Sequence, residues 1–203
     1  MESIVSIPKK YLFLIFSLFI VFVLYQGLQH GALVASAPQG ALDTKTYVSQ
    51  KGFSVAYPQA MRVDDAYTYS LGNEKEISGT AFFMPLELTT GTNLSSDSIV
   101  SVEILPKTET CEIKSFLSQP IETQKPLILN GLTYTVATIT DAAAGNRYEE
   151  TVSLLSNSKQ CIAVRLFLHT TAIENYDPKT IQQYNADAIM QIYDTLRTSL
   201  VVA

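Results

Sequence analysis

Two segments near the C-terminal third alternate apolar and polar residues and carry most of the chain's reactive side chains: 147–155 with Arg147, Glu149 and Glu150, and 161–169 with Arg165 and His169. A period of two places every other side chain on one face of a β-strand. In the first segment Arg147, Glu149, Thr151 and Ser153 share a face, and Tyr148, Glu150, Val152 and Leu154 take the other. In the second, Ile162, Val164, Leu166 and Leu168 lie opposite Cys161, Ala163, Arg165, Phe167 and His169. With a suitable hairpin register, Arg165 and His169 stand beside Arg147 and Glu149. Such a patch would hold a small anion or a partner's carboxylate; the plainer reading is a solvated face with cross-strand ion pairs. Glu150 is an acid on the apolar side, so if buried it has to be paired, or desolvation raises its pKa.

No catalytic residue emerges from spacing. His169 could serve a serine, but the chain has no GxSxG elbow and no acid placed by sequence distance. Metal ligation fares no better: there is no HExxH, no CxxC, and Asp97 within Ser95-Ser96-Asp97-Ser98 is too sparse for a calcium loop. No metal or cofactor is expected. Asn93-Leu94-Ser95 matches the glycosylation triplet, relevant only in a eukaryotic secretory pathway. With 14 basic and 19 acidic residues and no Lys/Arg cluster, the chain has no footprint for nucleic acid.

Residues Tyr11–Tyr25 are apolar throughout except Ser17, preceded by Lys9 and Lys10. Continued to Val34, the run is long enough for a membrane-crossing helix, and the lysines keep the N-terminus inside. This divides the chain into a cytoplasmic 1–10, a transmembrane or signal segment 11–34, a Gly/Ala/Ser/Pro-containing tether 35–43, and an extracytoplasmic domain 44–203. Ala35-Ser36-Ala37 also suits signal cleavage, which would give a secreted form. Pro38 just beyond the cut and the long gap after Tyr25 favour retention as a single-pass anchor at the cell membrane. Cys111 and Cys161 both lie on the exported side, where thiols oxidise, and are expected to form a disulfide. Closing a loop of about fifty residues contributes roughly 4 kcal/mol in the chain-entropy account.

Within the domain, Phe53–Pro58 reads as a strand ended by proline, 61–76 as a short hairpin or irregular excursion, and Thr80–Met84 as an apolar run. A polar loop covers 89–98, and Ser98–Leu105 is a strong β-branched strand. Ile113, Phe116 and Leu117 predict a short helix beginning at Cys111. Asn130-Gly131 is the best hairpin signal, and strands at 132–140, 147–155 and 161–169 follow as a meander. Asp177-Pro178 predicts a helix start, with Ile181, Tyr184, Ala188, Ile189, Ile192, Leu196 and Leu200 forming its apolar stripe.

The Gly52-Phe-Ser-Val-Ala-Tyr-Pro58 strand, the antiparallel sheet and the closing amphipathic helix with its apolar tail resemble the PsbP-like extracytoplasmic domains over residues 46–202, although Met61 stands near where those domains carry a Trp. That resemblance implies an α/β/α sandwich and an accessory or assembly role without catalytic machinery. The expectation is therefore an α+β protein: an N-terminal transmembrane helix, then a mostly antiparallel sheet packed with a short helix and a C-terminal amphipathic helix. Its expected role is non-enzymatic binding of another envelope protein or a small ligand. The alternative is an envelope enzyme using Arg147, Glu149, Arg165 and His169.

Overall fold

Among the described residues, alternating apolar residues build eleven strands in two antiparallel sheets. The computed structural model describes residues 43–203 except 73–75, 107–108, 122, 157 and 178. Sheet A joins β1 (Thr44–Ser49), β2 (Phe53–Pro58) and β11 (Val201–Val202) in the order β1-β2-β11. Sheet B contains β3 (Arg62–Asp64), β4 (Thr68–Ser70), β5 (Glu76–Phe83), β6 (Ile99–Leu105), β7 (Lys125–Leu129), β8 (Leu132–Ala143), β9 (Asn146–Leu155) and β10 (Cys161–Thr171). Its order is β3-β5-β6-β10-β9-β8-β7, with β4 also paired to β5. A four-residue helix, α1 (Leu86–Thr89), precedes the 89–98 loop, and α2 (Ala186–Thr198) closes the fold.

Sheet B is buried on both faces because both carry apolar residues in its central strands. On one face Phe82, Val100, Val102, Ile162, Val164, Leu166 and Leu168 form the main core with Phe53 and Val55 of sheet A and Ile189, Ile192 and Leu196 of α2. Tyr193 fastens α2 to this face: its hydroxyl donates toward the carbonyls of Thr151 at 3.0 Å and Val164 at 3.1 Å and lies 2.9 Å from Ser153 Oγ. Burial pushes that phenol up to about 12. On the other face Ile77, Val152, Leu154 and Ala163 are covered by Ile113, Phe116 and Leu117. These three belong to a strap, residues 109–121, whose only regular structure is the 3-10 turn Ile113–Phe116. The Cys111–Cys161 disulfide is present, with Cα atoms 5.4 Å apart, and ties the strap to the first residue of β10.

The expected fold class needs correction. An α/β/α-like sandwich has helices on both faces, whereas here α2 covers one face and the strap covers the other. The short helix expected after Cys111 is only a 3-10 turn, because the disulfide, Phe116 and Leu117 hold it flat against the sheet. None of the helices among the described residues is long and apolar enough to cross a membrane. The thirteen-residue α2 spans about 20 Å against a hydrocarbon core of roughly 30 Å, and one side of it is polar. The expected transmembrane segment, 11–34, lies outside the described residues.

Smaller differences have local causes. α2 starts at Ala186 rather than after Asp177, since the backbone at 182–184 is engaged by the 89–98 loop: Gln182 N–H donates to Gly91 O, Gln182 O accepts from Asn93 N–H, and Tyr184 N–H donates to Asn93 Oδ1. Asn185 then caps the helix by accepting from Ala188 N–H at 3.0 Å. The β8–β9 hairpin is longer than the expected strands, closed by Ala144 and Gly145 at φ 50° and 81°, while β7–β8 turns at Asn130-Gly131, φ 48° and 78°.

Candidate functional site

The register of β9 on β10 decides which polar side chains meet. Phe167 pairs with Glu150, Leu168 with Glu149, His169 with Tyr148, and Thr170 with Arg147. Arg165 and His169 therefore share the strap face with Tyr148, Glu150 and Val152, whereas Arg147 and Glu149 point from the opposite face. The four residues expected to form one patch are divided between two surfaces. Arg147 is exposed and meets Glu174 at 3.3 Å. The Glu174 carboxyl is held below its ordinary range by a hydrogen bond from its own backbone and then by Arg147.

Arg165 is fully buried, and each of its three side-chain nitrogens has a partner. Nε and Nη2 donate to the two oxygens of Glu103 at 2.7 and 2.8 Å, Nη1 donates to Glu150 at 2.6 Å, and Nη2 also reaches the Phe116 carbonyl of the strap at 2.6 Å. The Tyr69 ring lies 3.5 Å from the guanidinium carbon, and its hydroxyl donates to Glu150 at 2.7 Å. Ser101 Oγ donates to Glu103 at 2.7 Å. Burial works against the Arg165 charge, but Glu103, helped by Tyr69 and Glu150, outweighs it and keeps the guanidinium protonated well above its usual range. Burial beside these carboxylates likewise raises the Tyr67 and Tyr69 phenols. This cluster organises the interior: a bidentate Arg–carboxylate pair with all three guanidinium nitrogens engaged offsets the cost of removing charges from water.

His169 stands farther along the same face, half-buried. Its Nδ1 lies 2.9 and 3.0 Å from the Asp97 oxygens, Nε2 lies 3.1 Å from Asn146 Oδ1, and its ring stacks on Tyr148 at 4.6 Å. Partial burial works to raise the Asp97 carboxyl, yet hydrogen bonds from Ser95 and His169 prevail and hold it below the usual carboxylate range. Tyr148 also stacks with Phe167 at 6.3 Å. A cleft opens between these rings and the end of the strap, bounded by Ser118 and Gln119 on one side and by Tyr148, Phe167 and Asp141 on the other, with Glu150 at its floor. A second, open groove on the opposite face contains Arg147, Glu149 and Tyr184.

No known protein family matches the chain, and no curated protein matches it in sequence. A crystal structure from Bacteroides thetaiotaomicron VPI-5482 aligns with TM-score 0.45 and 10% identity, over 78% of this chain and 48% of that one. The chain thus spans about half the length of that structure, and a likeness of this degree carries no argument about function.

Sequence reasoning passed over Glu103, Tyr69 and Asn146, and weighed Asp97 only as a calcium ligand, not as the partner of His169. Glu103 had a visible signal, a lone acid inside the otherwise uncharged β6. Asp97 and Asn146 had none, since only the register brings them to His169. Among the described residues no group of three His, Cys, Asp or Glu side chains could hold a metal ion. The Asn93 triplet is closed to glycosylation in the folded domain: Asn93 is buried, its Nδ2 donates to Thr171 O at 3.1 Å and its Oδ1 accepts from Tyr184 N–H at 2.9 Å.

Proposed function

We propose that residues 44–203 form a non-enzymatic binding domain working outside the cytoplasm, held at the membrane by the apolar N-terminal stretch and contacting another envelope component or a small ligand. The observation that supports this most is the cleft at the strap end: aromatic side chains, free amide and hydroxyl groups, and a carboxylate already oriented by Arg165 and Tyr69 surround an accessible space. Clefts combining apolar walls with a few fixed polar groups are the usual form of a binding site. The disulfide fits an oxidising compartment. The PsbP-like resemblance, carried by the 52–58 strand and the closing helix, agrees with an accessory role.

The enzyme reading draws its support from the Asp97–His169 pair, which has the acid–imidazole contact of a general base. Against it, the second ring nitrogen faces Asn146 rather than a nucleophile, and Arg147 and Glu149 lie across the sheet. A photocrosslinking side chain at Gln119 in the full chain, in cells, tests the binding role. It should trap one discrete component, and Tyr148→Ala should abolish that product. A crosslinker at Ile128, exposed on the far edge strand, serves as control. Equal labelling from both positions, or none from Gln119, would reject the cleft as the site.

A further inference from the structure

The geometry points to a redox-operated strap: exchange of the Cys111–Cys161 bond with an external dithiol frees residues 109–121 from sheet B and removes the wall that Ser118 and Gln119 give the cleft. Two features make this segment separable from the rest. Among the described residues its backbone–backbone hydrogen bonds are all local, Glu109 to Pro106, Glu112 to Thr110, Ser115 to Glu112 and Leu117 to Lys114, so no ladder joins it to the sheet. Its described fastenings to the sheet include the buried trio Ile113, Phe116 and Leu117, Ile121 packed beside them, the Phe116 carbonyl on Arg165, and the disulfide.

The strap also covers charge. Its Phe116 carbonyl sits on Arg165, within a cluster where the side chains of Arg165, Glu103 and Glu150 are 0%, 0% and 12% exposed. Burial of the three apolar side chains favours closure, while dehydration of the guanidinium that the strap touches opposes it. Opening lets water reach that guanidinium, so the closed and open states are more evenly balanced here than at a purely apolar contact. The covalent tie decides between them.

The two cysteines differ in exposure. Cys111 is exposed and lines an open groove with Ile113, Ile121 and Leu154, whereas Cys161 is half-buried beside Leu105. A thiolate of the incoming dithiol attacks Cys111 Sγ; the bond to Cys161 breaks, and its electron pair leaves on Cys161 Sγ, which takes up a proton. The second thiol of the dithiol then displaces Cys111 from the mixed disulfide. The dithiol ends as a disulfide and the domain as two thiols, with two electrons and two protons transferred.

Hydrogen exchange read by mass spectrometry on the full chain in detergent, oxidised and then reduced with dithiothreitol, tests the opening. Exchange across residues 110–119 should rise by about 100-fold or more, while β6, β9, β10 and α2 change by less than about 3-fold. The Cys111→Ser/Cys161→Ser chain should show the open pattern without reductant, and Cys161→Ser alone, given oxidised glutathione, should form a mixed disulfide through Cys111 with release of one glutathione thiol. Strap exchange unchanged on reduction would overturn the proposal, as would loss of protection throughout the domain, since the bond would then be an inert staple or a global one. The consequence for the cleft rests on the proposed binding role: the Gln119 crosslink should disappear on reduction. Strap exchange is read independently of any crosslink, so failure of either reading is distinguishable.

Discussion

Glu103 and Glu150 both contact Arg165, yet their surroundings differ, and so should the cost of removing them. Glu103 is inaccessible and holds two guanidinium nitrogens; Glu150 touches one, borders the cleft and is 12% exposed. Glu103→Ala leaves a buried cation short of its main partner, expected to cost about 3–5 kcal/mol. Glu150→Gln keeps an oxygen for Arg165, gives up the second one that Tyr69 uses, and should cost about 1–2 kcal/mol. Urea unfolding of the disulfide-intact domain checks the order; equal losses would mean the cluster does not centre on Glu103. Asp97 supplies a pH prediction. Its folded pKa is lowered, so its contribution to stability is present above the unfolded carboxylate value and is lost as pH falls through the folded one. The acid-limb decline in urea midpoint below about pH 4 should therefore be shallower in Asp97→Asn than in the parent chain. Identical acid limbs would show that the His169 contact is not formed in solution.

At the scale of elements, the β5–β6 pairing is built around a missing side chain. Gly79 lies opposite Glu103, and a Cβ there would meet the Val102 carbonyl at 3.0 Å, Glu103 Cγ at 3.2 Å and Tyr67 Cδ1 at 3.4 Å. The carbonyl belongs to the neighbouring strand and Glu103 is held by Arg165, so neither yields cheaply. Gly79→Ala is expected to cost about 1–3 kcal/mol through crowding. Gly131 makes the contrast: its Cβ would meet open space, and only its φ of 78° resists alanine, for about 1 kcal/mol. Chemical unfolding of both variants, with hydrogen exchange in β5 and β6, separates the two causes. Disturbed exchange at β6 in Gly131→Ala, and none in Gly79→Ala, would refute the assignment.

For the whole molecule, position relative to the membrane is the property on which the proposed role depends. Lys9 and Lys10 before the apolar stretch predict that 44–203 faces outward. Protease added to intact cells should then degrade the domain, with the first cuts expected at the polar strap around Lys114, which is largely exposed. Protection from external protease but not after lysis would place the domain inside, where thiols are kept reduced, and remove both the binding proposal and the oxidising setting in which the Cys111–Cys161 bond forms.

Local order and spacing were enough for several features: the Phe53–Pro58 strand, the Asn130-Gly131 hairpin, the β8–β10 meander, the oxidised cysteine pair and the need of Glu150 for a partner. Each depends on periodicity, turn chemistry or compartment, which neighbouring residues or composition carry. Tertiary structure alone decided the rest. Whether Arg165 meets Arg147 and Glu149 or Glu103 and Glu150 depends on strand register, and one residue of slip exchanges the faces. The late start of α2 depends on Asn93, about ninety residues away in sequence, taking the backbone of 182–184. The second face of sheet B is covered by a strap rather than a helix because a disulfide and three buried side chains flatten it there, a result that no helical spacing in 113–117 could announce.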